Sequence, residues 1–306
     1  MMNRMQWRGE QIVGATVAIG IFDGVHRGHQ VILERAKEVS NGRGVIALTF
    51  DPHPMHFFAP DKAPTMLVSL ERRVELLKQY GADAVVVCEF DREFAAKSPD
   101  DFVAQVLVKN LQISGVVVGQ NFSYGHKAAG KVADLIVAGA KNGFVAQEVA
   151  LQEFEGGVVS STRIREAIAR GDVESARTLL TRPHRLEGII VHGEKRGREI
   201  GYPTANLGYS GASNSIPADG IYAGWLEVES HRWPAAISIG TNPTFAGERS
   251  RQVEAYALDQ VGLDLYDRNA KIDFGWRLRD TVKFDGLDPL LAQMKIDCDQ
   301  ARELTK

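Results

Sequence analysis

Two histidines flank a glycine near the start of the chain, in the segment GIFDGVHRGH that runs from Gly20 to His29. An apolar run from Thr16 to Ile21 predicts a buried strand before them, and apolar residues at helical spacing from Gln30 predict a helix after them. A helix start presents free N–H groups and the positive end of its dipole to an anion. Two imidazoles on such a turn can donate hydrogen bonds to phosphate oxygens. The sequence therefore predicts a nucleotide phosphate site at His26 and His29.

A pair of histidines at this spacing can also ligate a metal or serve as polar turn residues. A zinc site would need further cysteines or histidines at ligand spacing, and the chain's two cysteines, Cys88 and Cys298, lie far apart. The strand before the motif and the flanking Phe22-Asp23-Gly24 segment favour phosphate. The phosphate interpretation is therefore preferred over a metal site.

Composition places the chain among ordinary globular proteins, with 306 residues of which 44% are hydrophobic and 25% charged, and its length predicts two domains. A formal net charge of −3 argues against a nucleic-acid partner, although the basic run from Lys195 to Arg198 suits an anionic small molecule. The apolar start from Ile12 to Phe22 is interrupted by glycines and lacks a cleavage site. With no spanning segment and no cysteine framework, we expect a cytoplasmic protein without a membrane partner. The sequence leaves the oligomeric state open.

Up to about residue 150, short apolar runs alternate with amphipathic helices. The runs are Val45–Phe50, Ala84–Cys88, Gly115–Gly119 and Phe144–Val149. This alternation predicts a Rossmann-like parallel sheet with helices on both faces. Ligands of such sheets bind beyond the carboxyl ends of the strands. We therefore expect His26 and His29, the Asp51–Pro54 turn with His53, and the loop from Gly119 to Gly130 to converge on one crevice.

The pattern changes after Ser160, where two short helices are expected and Pro183 stops the second. We place the boundary there, which gives domains 1–182 and 183–306. The strand-like runs beyond it are separated by Gly, Pro and Asn turns and predict an antiparallel barrel. They are Leu186–Val191, Gly220–Val228, Ala235–Ile239, Gln252–Leu258 and Ala270–Phe274. A terminal helix follows, with Cys298 in its apolar stripe as a packing residue.

A second constellation lies between Gly193 and Asn206, where three glycines and three cations precede a Pro-Thr-Ala-Asn stretch interpreted as a turn. Glycine-dense backbone beside cations suits a phosphate chain, and the Thr204 hydroxyl and Asn206 amide oxygen suit magnesium. The segment is either a second nucleotide site or a solvated hairpin. Downstream, Glu254 lies in an apolar strand. An acidic residue there is either at the edge of a sheet or a catalytic base, and the position of Glu254 alone favours a sheet edge.

Taken together, these segments resemble the prokaryotic bifunctional riboflavin kinase/FAD synthetases, from about Val13 to Thr305. The motifs that carry the resemblance occur in the family's order: GIFDGVHRGH, TFDPHP, VGQNFSYG, SSTRIR, GRxxGYPTAN, PADGIYAGW, SIGTNPTF and the strand with Glu254. The resemblance implies an N-terminal nucleotidyltransferase-like α/β domain that makes FAD from FMN and ATP. It also implies a C-terminal six-stranded Greek-key flavokinase barrel that makes FMN from riboflavin and ATP.

The resemblance also assigns roles to residues. Catalytic roles fall on His26, His29, Asn121, Arg165 and Glu254. Nucleotide or phosphate binding falls on Gly20, Phe22, Asp23, Gly24, Gly28, His53, Ser161, Thr162, Gly193, Lys195, Gly197, Arg198 and Gly201. Phe122 and Tyr124 are expected to contact the flavin, and Thr204 and Asn206 to hold Mg²⁺.

The chain departs from the family pattern at a few positions. Asn121 and Tyr124 stand where many relatives have Asp and Phe, and Asp267 replaces a usual turn glycine. Asp tolerates left-handed backbone better than most residues.

One alternative function is a nucleotidyltransferase for another small phosphate with a barrel that merely binds flavin. Another is a nucleic-acid-binding barrel, which the net charge and the lack of an aromatic-studded basic face disfavour.

Overall fold

The computed structural model of the chain describes residues 5–193, 200–209, 215–241 and 251–306. The chain divides into two compact units, Met1–Ser161 and Thr162–Lys306. Three residues predicted to bind phosphate, Lys195, Gly197 and Arg198, lie outside the described residues. No helix in the described part of the chain has both the length and the apolar character needed to cross a membrane.

The described part of the first unit is built on a six-stranded sheet with two small strand pairs beside it. In chain order its strands are β1 (Met5–Arg8), β2 (Thr16–Ile19), β3 (Val45–Asp51), β4 (Ala84–Glu89), β5 (Gly115–Gly119), β6 (Ser123–Tyr124), β7 (Gly130–Lys131), β8 (Val145–Val149), β9 (Glu153–Phe154) and β10 (Gly157–Val158). The central sheet has the order β1-β4-β3-β2-β5-β8, and all its pairs are parallel except β1 with β4. The predicted parallel sheet is confirmed, and the antiparallel edge strand β1 is an addition that the sequence analysis did not predict.

Helices connect these strands. They are α1 (Arg27–Ser40), α2 (Pro54–Phe58), α3 (Leu70–Gln79), α4 (Arg92–Ala95), α5 (Pro99–Asp101), a π-helix (Phe102–Asn110), α6 (Val132–Asn142), and single 3₁₀ turns at Pro60–Lys62 and His126–Ala128. Serine side chains cap two of these helices: Ser69 accepts from Arg72 N and Ser98 accepts from Asp101 N.

Alternate residues of β2 point to opposite faces of the sheet, and each face is covered by helices. Val17 and Ile19 lie in one hydrophobic cluster with residues of the π-helix and α6. Ala18 lies in the other cluster, with residues of α1 and α3. Helices on both faces are therefore confirmed.

The second unit contains a closed six-stranded barrel of antiparallel strands in the order β11-β12-β15-β14-β13-β16. Its elements are α7 (Ser161–Ala169, whose first residue ends the first unit), α8 (Val173–Leu180), β11 (His184–Val191), β12 (Ala205–Gly208), β13 (Gly220–Val228), β14 (His231–Thr241), β15 (Arg251–Ala257), β16 (Asn269–Arg279) and α9 (Leu287–Leu304). Alternate strand residues such as Leu226, Ile237 and Ile272 point inward and are fully buried. The predicted barrel and terminal helix are confirmed.

Strand β12 lies in the stretch that the sequence analysis interpreted as a turn, and that interpretation is wrong. The strand has only four residues, follows Pro203, and contains Asn206 and Gly208, which are poor strand formers. Its pairing with β11 and β15 places it in the barrel. Long-range pairing thus overrides local propensity here.

Helices α7 and α8 are attached to the barrel. Val173 is buried in the barrel's hydrophobic cluster, and the Glu174 side chain accepts from Arg277 N at 2.9 Å. The Arg277 Nη1 atom donates to Arg170 O at 2.6 Å. The division into compact units falls after Ser161. The boundary after residue 182 stays a prediction about independently folding domains.

Candidate functional site

The strand order places the first site at the point where the sheet changes direction. From β2 the chain builds β3 and β4 on one side, and then β5 and β8 on the other. Ligands of such sheets bind beyond the carboxyl ends of the strands at this switch point. The loops that carry His26, His53 and Asn121 follow β2, β3 and β5, which are adjacent and parallel. These loops therefore leave the same edge of the sheet, and their convergence on one crevice stays a prediction.

The turn between β2 and α1 is strained and tightly held. Phe22 and Val25 adopt positive φ angles of 54° and 39°, and Gly24 has φ 78°. Such angles in bulky or β-branched residues cost about 1–3 kcal/mol each and persist only where the surroundings enforce them. Both side chains are fully buried. The buried Asp23 carboxylate accepts from Leu67 N, at 2.9 Å to Oδ1 and 3.1 Å to Oδ2. The turn is therefore fixed before any ligand binds.

His26 and His29 form a stacked pair on this turn. Their ring centroids lie 3.6 Å apart at 16°, and the Phe22 ring meets His29 edge-on at 5.2 Å. His26 is the N-cap of α1, because its Nδ1 accepts from His29 N at 3.4 Å. A neutral ring that accepts at Nδ1 carries its proton on Nε2, which can donate to an anion. A Cβ at Gly28 would lie 3.3 Å from the His26 ring, so the glycine lets the imidazole sit against the helix start.

The first turn of α1 contains no acidic residue. Its N–H groups and dipole therefore favour an anion beside the two imidazoles. The hydroxyl of Ser161, the last residue of the first unit, donates to Asp23 O in the histidine turn at 2.9 Å. Thr162 and Arg165 follow in α7, within the second unit.

The turn after β3 leads into an aromatic cluster that the sequence analysis did not single out. His53 caps α2 through its Nδ1, which accepts from Met55 N at 3.1 Å. Phe57 and the 59%-exposed Phe58 follow, and their rings lie 6.2 and 5.6 Å from the Phe90 ring. These partly exposed aromatic rings lie after β3, at the edge of the sheet where ligands are expected, and are a candidate binding surface. The consecutive phenylalanines of α2 were the available signal.

The loop after β5 supplies the other predicted residues. Asn121 is exposed and lies two residues after the end of β5. The Phe122 and Tyr124 rings are stacked at 5.7 Å. Tyr124 is only 6% exposed, and a Cβ at Gly130 would lie 2.8 Å from its ring. Burial raises the pKa of Tyr124, so its phenol is neutral at pH 7. Tyr124 thus packs against the Phe122 ring and exposes little of its own side chain to solvent.

In the barrel, the structure brings Thr204, Asn206 and Glu254 together. Asn206 and Glu254 are directly opposite each other on β12 and β15, and Thr204 Oγ1 donates to Glu254 Oε2 at 3.0 Å. Val253 and Ala255 point into the barrel core, so Glu254 lies on the outer face. Strand β15 is paired on both sides, with β12 and β14. The interpretation of Glu254 as an edge residue is therefore wrong.

Gly193 leaves room for the Asn206 side chain in its present position. A Cβ at Gly193 would lie 2.7 Å from Asn206 Cγ, which is inside van der Waals contact. Gly201 has φ 85°, a backbone conformation that favours glycine. Asp267, which replaces the family's usual turn glycine, has φ 60° and its N–H donates to Ile190 O at 2.9 Å. The turn is thus formed with aspartate.

Comparisons with known proteins match both halves of the chain. A FAD synthetase family model matches residues 9–163 and a riboflavin kinase family model matches residues 180–305. The bifunctional riboflavin kinase/FMN adenylyltransferase of Pseudomonas fluorescens is 36% identical over 293 residues, which cover 95% of this chain and 93% of that protein. The protein of the same name from Escherichia coli K12 is 38% identical and covers 95% of this chain and 92% of its own length.

A solved structure is also similar along the whole chain. The crystal structure titled macrolide-efflux protein, from Streptococcus pneumoniae, has a TM-score of 0.84 at 31% sequence identity and covers 96% of both chains. The FAD synthetase match spans half of this chain, and the curated relatives exceed 30% identity over nearly its full length. The chain therefore belongs to the bifunctional riboflavin kinase/FMN adenylyltransferase family.

Proposed function

We propose that this chain phosphorylates riboflavin to FMN with ATP and then transfers the adenylyl group of a second ATP to FMN, forming FAD and pyrophosphate. The observation that carries the proposal is the presence of two separate sites, each in the half of the chain that matches the corresponding family model. The stacked histidines suit phosphate chemistry, and the Thr204–Asn206–Glu254 cluster suits hydroxyl phosphorylation. A single-activity nucleotidyltransferase would leave the second cluster without a role.

In the first site, the FMN phosphate attacks the α-phosphorus of ATP. A phosphate is already an adequate nucleophile, so the reaction needs positioning and charge stabilisation rather than a covalent intermediate. His26 and His29 donate to the oxygens on which charge develops, and each well-placed donor contributes about 3–4 kcal/mol. The N-terminus of α1 adds backbone N–H groups to the same anion.

Other residues of the first site complete the binding of both substrates. We assign nucleotide binding to the residues of the histidine turn, Gly20, Phe22, Asp23, Gly24 and Gly28. We assign phosphate contacts to His53, Ser161, Thr162 and Arg165, and a substrate contact to the exposed Asn121. The flavin ring lies against Phe122, which Tyr124 supports, and the exposed rings of α2 offer a second apolar surface.

In the barrel, the 5′-hydroxyl of riboflavin attacks the γ-phosphorus of ATP. Glu254 accepts the hydroxyl proton, and the hydrogen bond from Thr204 Oγ1 fixes the orientation of its carboxylate. The backbone at Gly193 and Gly201 lets the phosphates approach closely, and Lys195, Gly197 and Arg198 are predicted to extend this phosphate site.

The Thr204 hydroxyl and the Asn206 side-chain carbonyl are oxygen donors, which fit Mg²⁺. Because the Thr204 hydroxyl donates to Glu254, its lone pairs can face a cation. Among the described residues no cluster of His, Cys, Asp and Glu could hold a metal by itself. An Mg²⁺ ion held by these oxygens would offset charge on the phosphates.

The substrates place the reaction among small-molecule conversions, and we propose that the protein works in the cytoplasm without a nucleic-acid or membrane partner. The free, buried Cys88 and Cys298 agree with a reducing compartment.

One assay tests the whole proposal. The protein is incubated with riboflavin, ATP and magnesium, and riboflavin, FMN and FAD are resolved by chromatography. The wild-type chain should form FMN and then FAD. In His29→Ala, FAD formation should fall by about 10²–10³-fold while FMN accumulates, because a transition-state donor is lost. Equal loss of both products would sink the assignment of two separate sites.

A further inference from the structure

Arg73, in the middle of α3, is one of the largest fully buried side chains of the protein, at 1% exposure. Its neighbour Arg72 instead pairs with Glu75 at 2.9 Å on the helix surface. Burial of a guanidinium is costly unless its donors are paired. Burial also lowers the pKa of Arg73, although an arginine remains charged at neutral pH. Both Nη atoms of Arg73 have acceptors that offset this cost, whereas its buried Nε has no hydrogen-bond partner among the described residues.

The acceptors of Arg73 lie where two sheet strands end. Its Nη1 donates to Ile21 O at 3.0 Å and to Phe50 O at 3.2 Å. Its Nη2 donates to Asp51 Oδ1 at 3.2 Å. Ile21 precedes the turn that carries His26 and His29, and Asp51 precedes the turn that carries His53. One side chain thus joins the two loops that the sequence motifs define.

The Ile21 carbonyl is held from two directions. Thr49 Oγ1 donates to it at 2.8 Å, in addition to Arg73. The next residue, Phe22, is the one at which the chain enters its strained turn, with φ 54°. Two residues after Ile21, the buried Asp23 carboxylate is held by Leu67 N, from the segment that leads into α3. The segment from Leu67 to Arg73 therefore contacts the histidine turn twice, through Leu67 N to the Asp23 carboxylate and through Arg73 to the Ile21 carbonyl.

Electrostatics favour the same arrangement. The Arg73 charge is attracted to both Asp51 and Asp23. The Asp23 carboxylate is buried and needs a nearby positive charge as well as its hydrogen bonds. Arg73 therefore stabilises the turn through its charge and through its fork of donors.

We propose that Arg73 is a positioning residue for FMN adenylyltransfer: acting through the Ile21 carbonyl and Asp51, it sets the histidine turn against the His53 turn without touching substrate. This inference rests on the proposed function of the first site. Its distinctive consequence is that turnover depends on the fork of donors, which a lysine at this position lacks.

The test uses full-length variants with the single changes Arg73→Lys, Arg73→Met and Thr49→Val. Each Arg73 change is also combined with Thr49→Val. Arg72→Met is the matched control in the same helix. FAD formation from FMN gives kcat and the KM of each substrate. FMN formation from riboflavin and the thermal unfolding curve are measured on the same samples, and all assays run well below the unfolding transition.

Both Arg73 variants should lower kcat for FAD formation by about 10–100-fold, the usual effect of a displacement of about 1 Å at a catalytic group. The KM values should change less than about threefold, since substrate contacts remain. FMN formation and the Arg72→Met variant should match wild type. Thr49→Val should have a smaller effect, and its combination with Arg73→Lys should be clearly less than multiplicative, because both act on one carbonyl.

Unchanged kcat in Arg73→Lys would overturn the proposal, as would Arg73 variants that lose only thermal stability. If Arg73→Met does not fold, the cycle of Arg73→Lys with Thr49→Val decides, and multiplicative effects there would also overturn it. A wild-type chain that makes no FAD would instead refute the proposed function itself, so the two failures are distinguishable.

Discussion

Replacing Gly193 by alanine should lower the turnover of the riboflavin kinase reaction by about 10²-fold while FAD formation from supplied FMN is unchanged. The new Cβ would lie 2.7 Å from Asn206 Cγ and 2.9 Å from its Oδ1. Non-bonded carbon atoms prefer separations of about 3.5–4.0 Å, so the amide must move by about 1 Å. A displacement of that size at a positioned group can lower turnover by about 10²-fold. The amide is at the end of a flexible side chain, so the barrel itself should remain folded.

The assay follows FMN formation from riboflavin across a magnesium titration, with FAD formation as the internal control. Asn206→Ala should raise the magnesium requirement of FMN formation, because a hard oxygen ligand is lost. If Gly193→Ala acts by displacing Asn206, adding it to Asn206→Ala should cost little more. Near-normal kinase turnover in Gly193→Ala would refute the argument, as would additive losses in the double variant.

Three further predictions concern the barrel. Glu254→Gln should lower kinase turnover by about 10²–10⁴-fold with nucleotide binding retained, and an active Glu254→Gln would exclude the residue as the base. Residues 183–306 expressed alone should make FMN. A fragment of residues 162–306 should melt at a higher temperature than residues 183–306, because Val173 fills part of the barrel core. Equal melting temperatures of the two fragments would contradict this. Burial lowers the pKa of His184 to about 4, below the unfolded value of 6.5. Because the unfolded chain takes up this proton first, the free energy of unfolding is highest above pH 6.5 and falls on acidification, by about 2 kcal/mol at pH 5. Urea titrations of His184→Gln at the two pH values should lack this fall.

Strands with a clear local pattern could be predicted from the sequence, and strands defined by their partners could not. The bounds of β5 and β13 agree with the predicted runs Gly115–Gly119 and Gly220–Val228, which are apolar or alternating and flanked by turn residues. Strands β1 and β12 have four residues each and are held by pairing with distant segments. Short strands of this kind carry too little periodicity to be recognised locally.

The same distinction applies to the sites. The residue types and turns around His26 and His29 indicated a phosphate site, because a strand, a glycine turn and a helix start are local features. The position of Glu254 within the sheet was mispredicted because neighbours in a barrel are a property of the whole chain. Only the pairing of β15 with both β12 and β14 shows that Glu254 is opposite Asn206.

For Arg73, local sequence predicts the burial of the side chain but not its hydrogen-bond partners. Helical spacing places it three and four residues before Leu76 and Leu77, at the centre of the buried face of α3, whereas Arg72 lies at the flank of that face and stays partly exposed. Periodicity therefore predicts that this arginine is buried, although the residue type argues against it. What periodicity omits is the acceptor, since the Ile21 carbonyl lies 52 positions away in the chain. A charged residue on the apolar face of an amphipathic helix is thus a sequence signal for a buried polar contact, and only the fold identifies its partner.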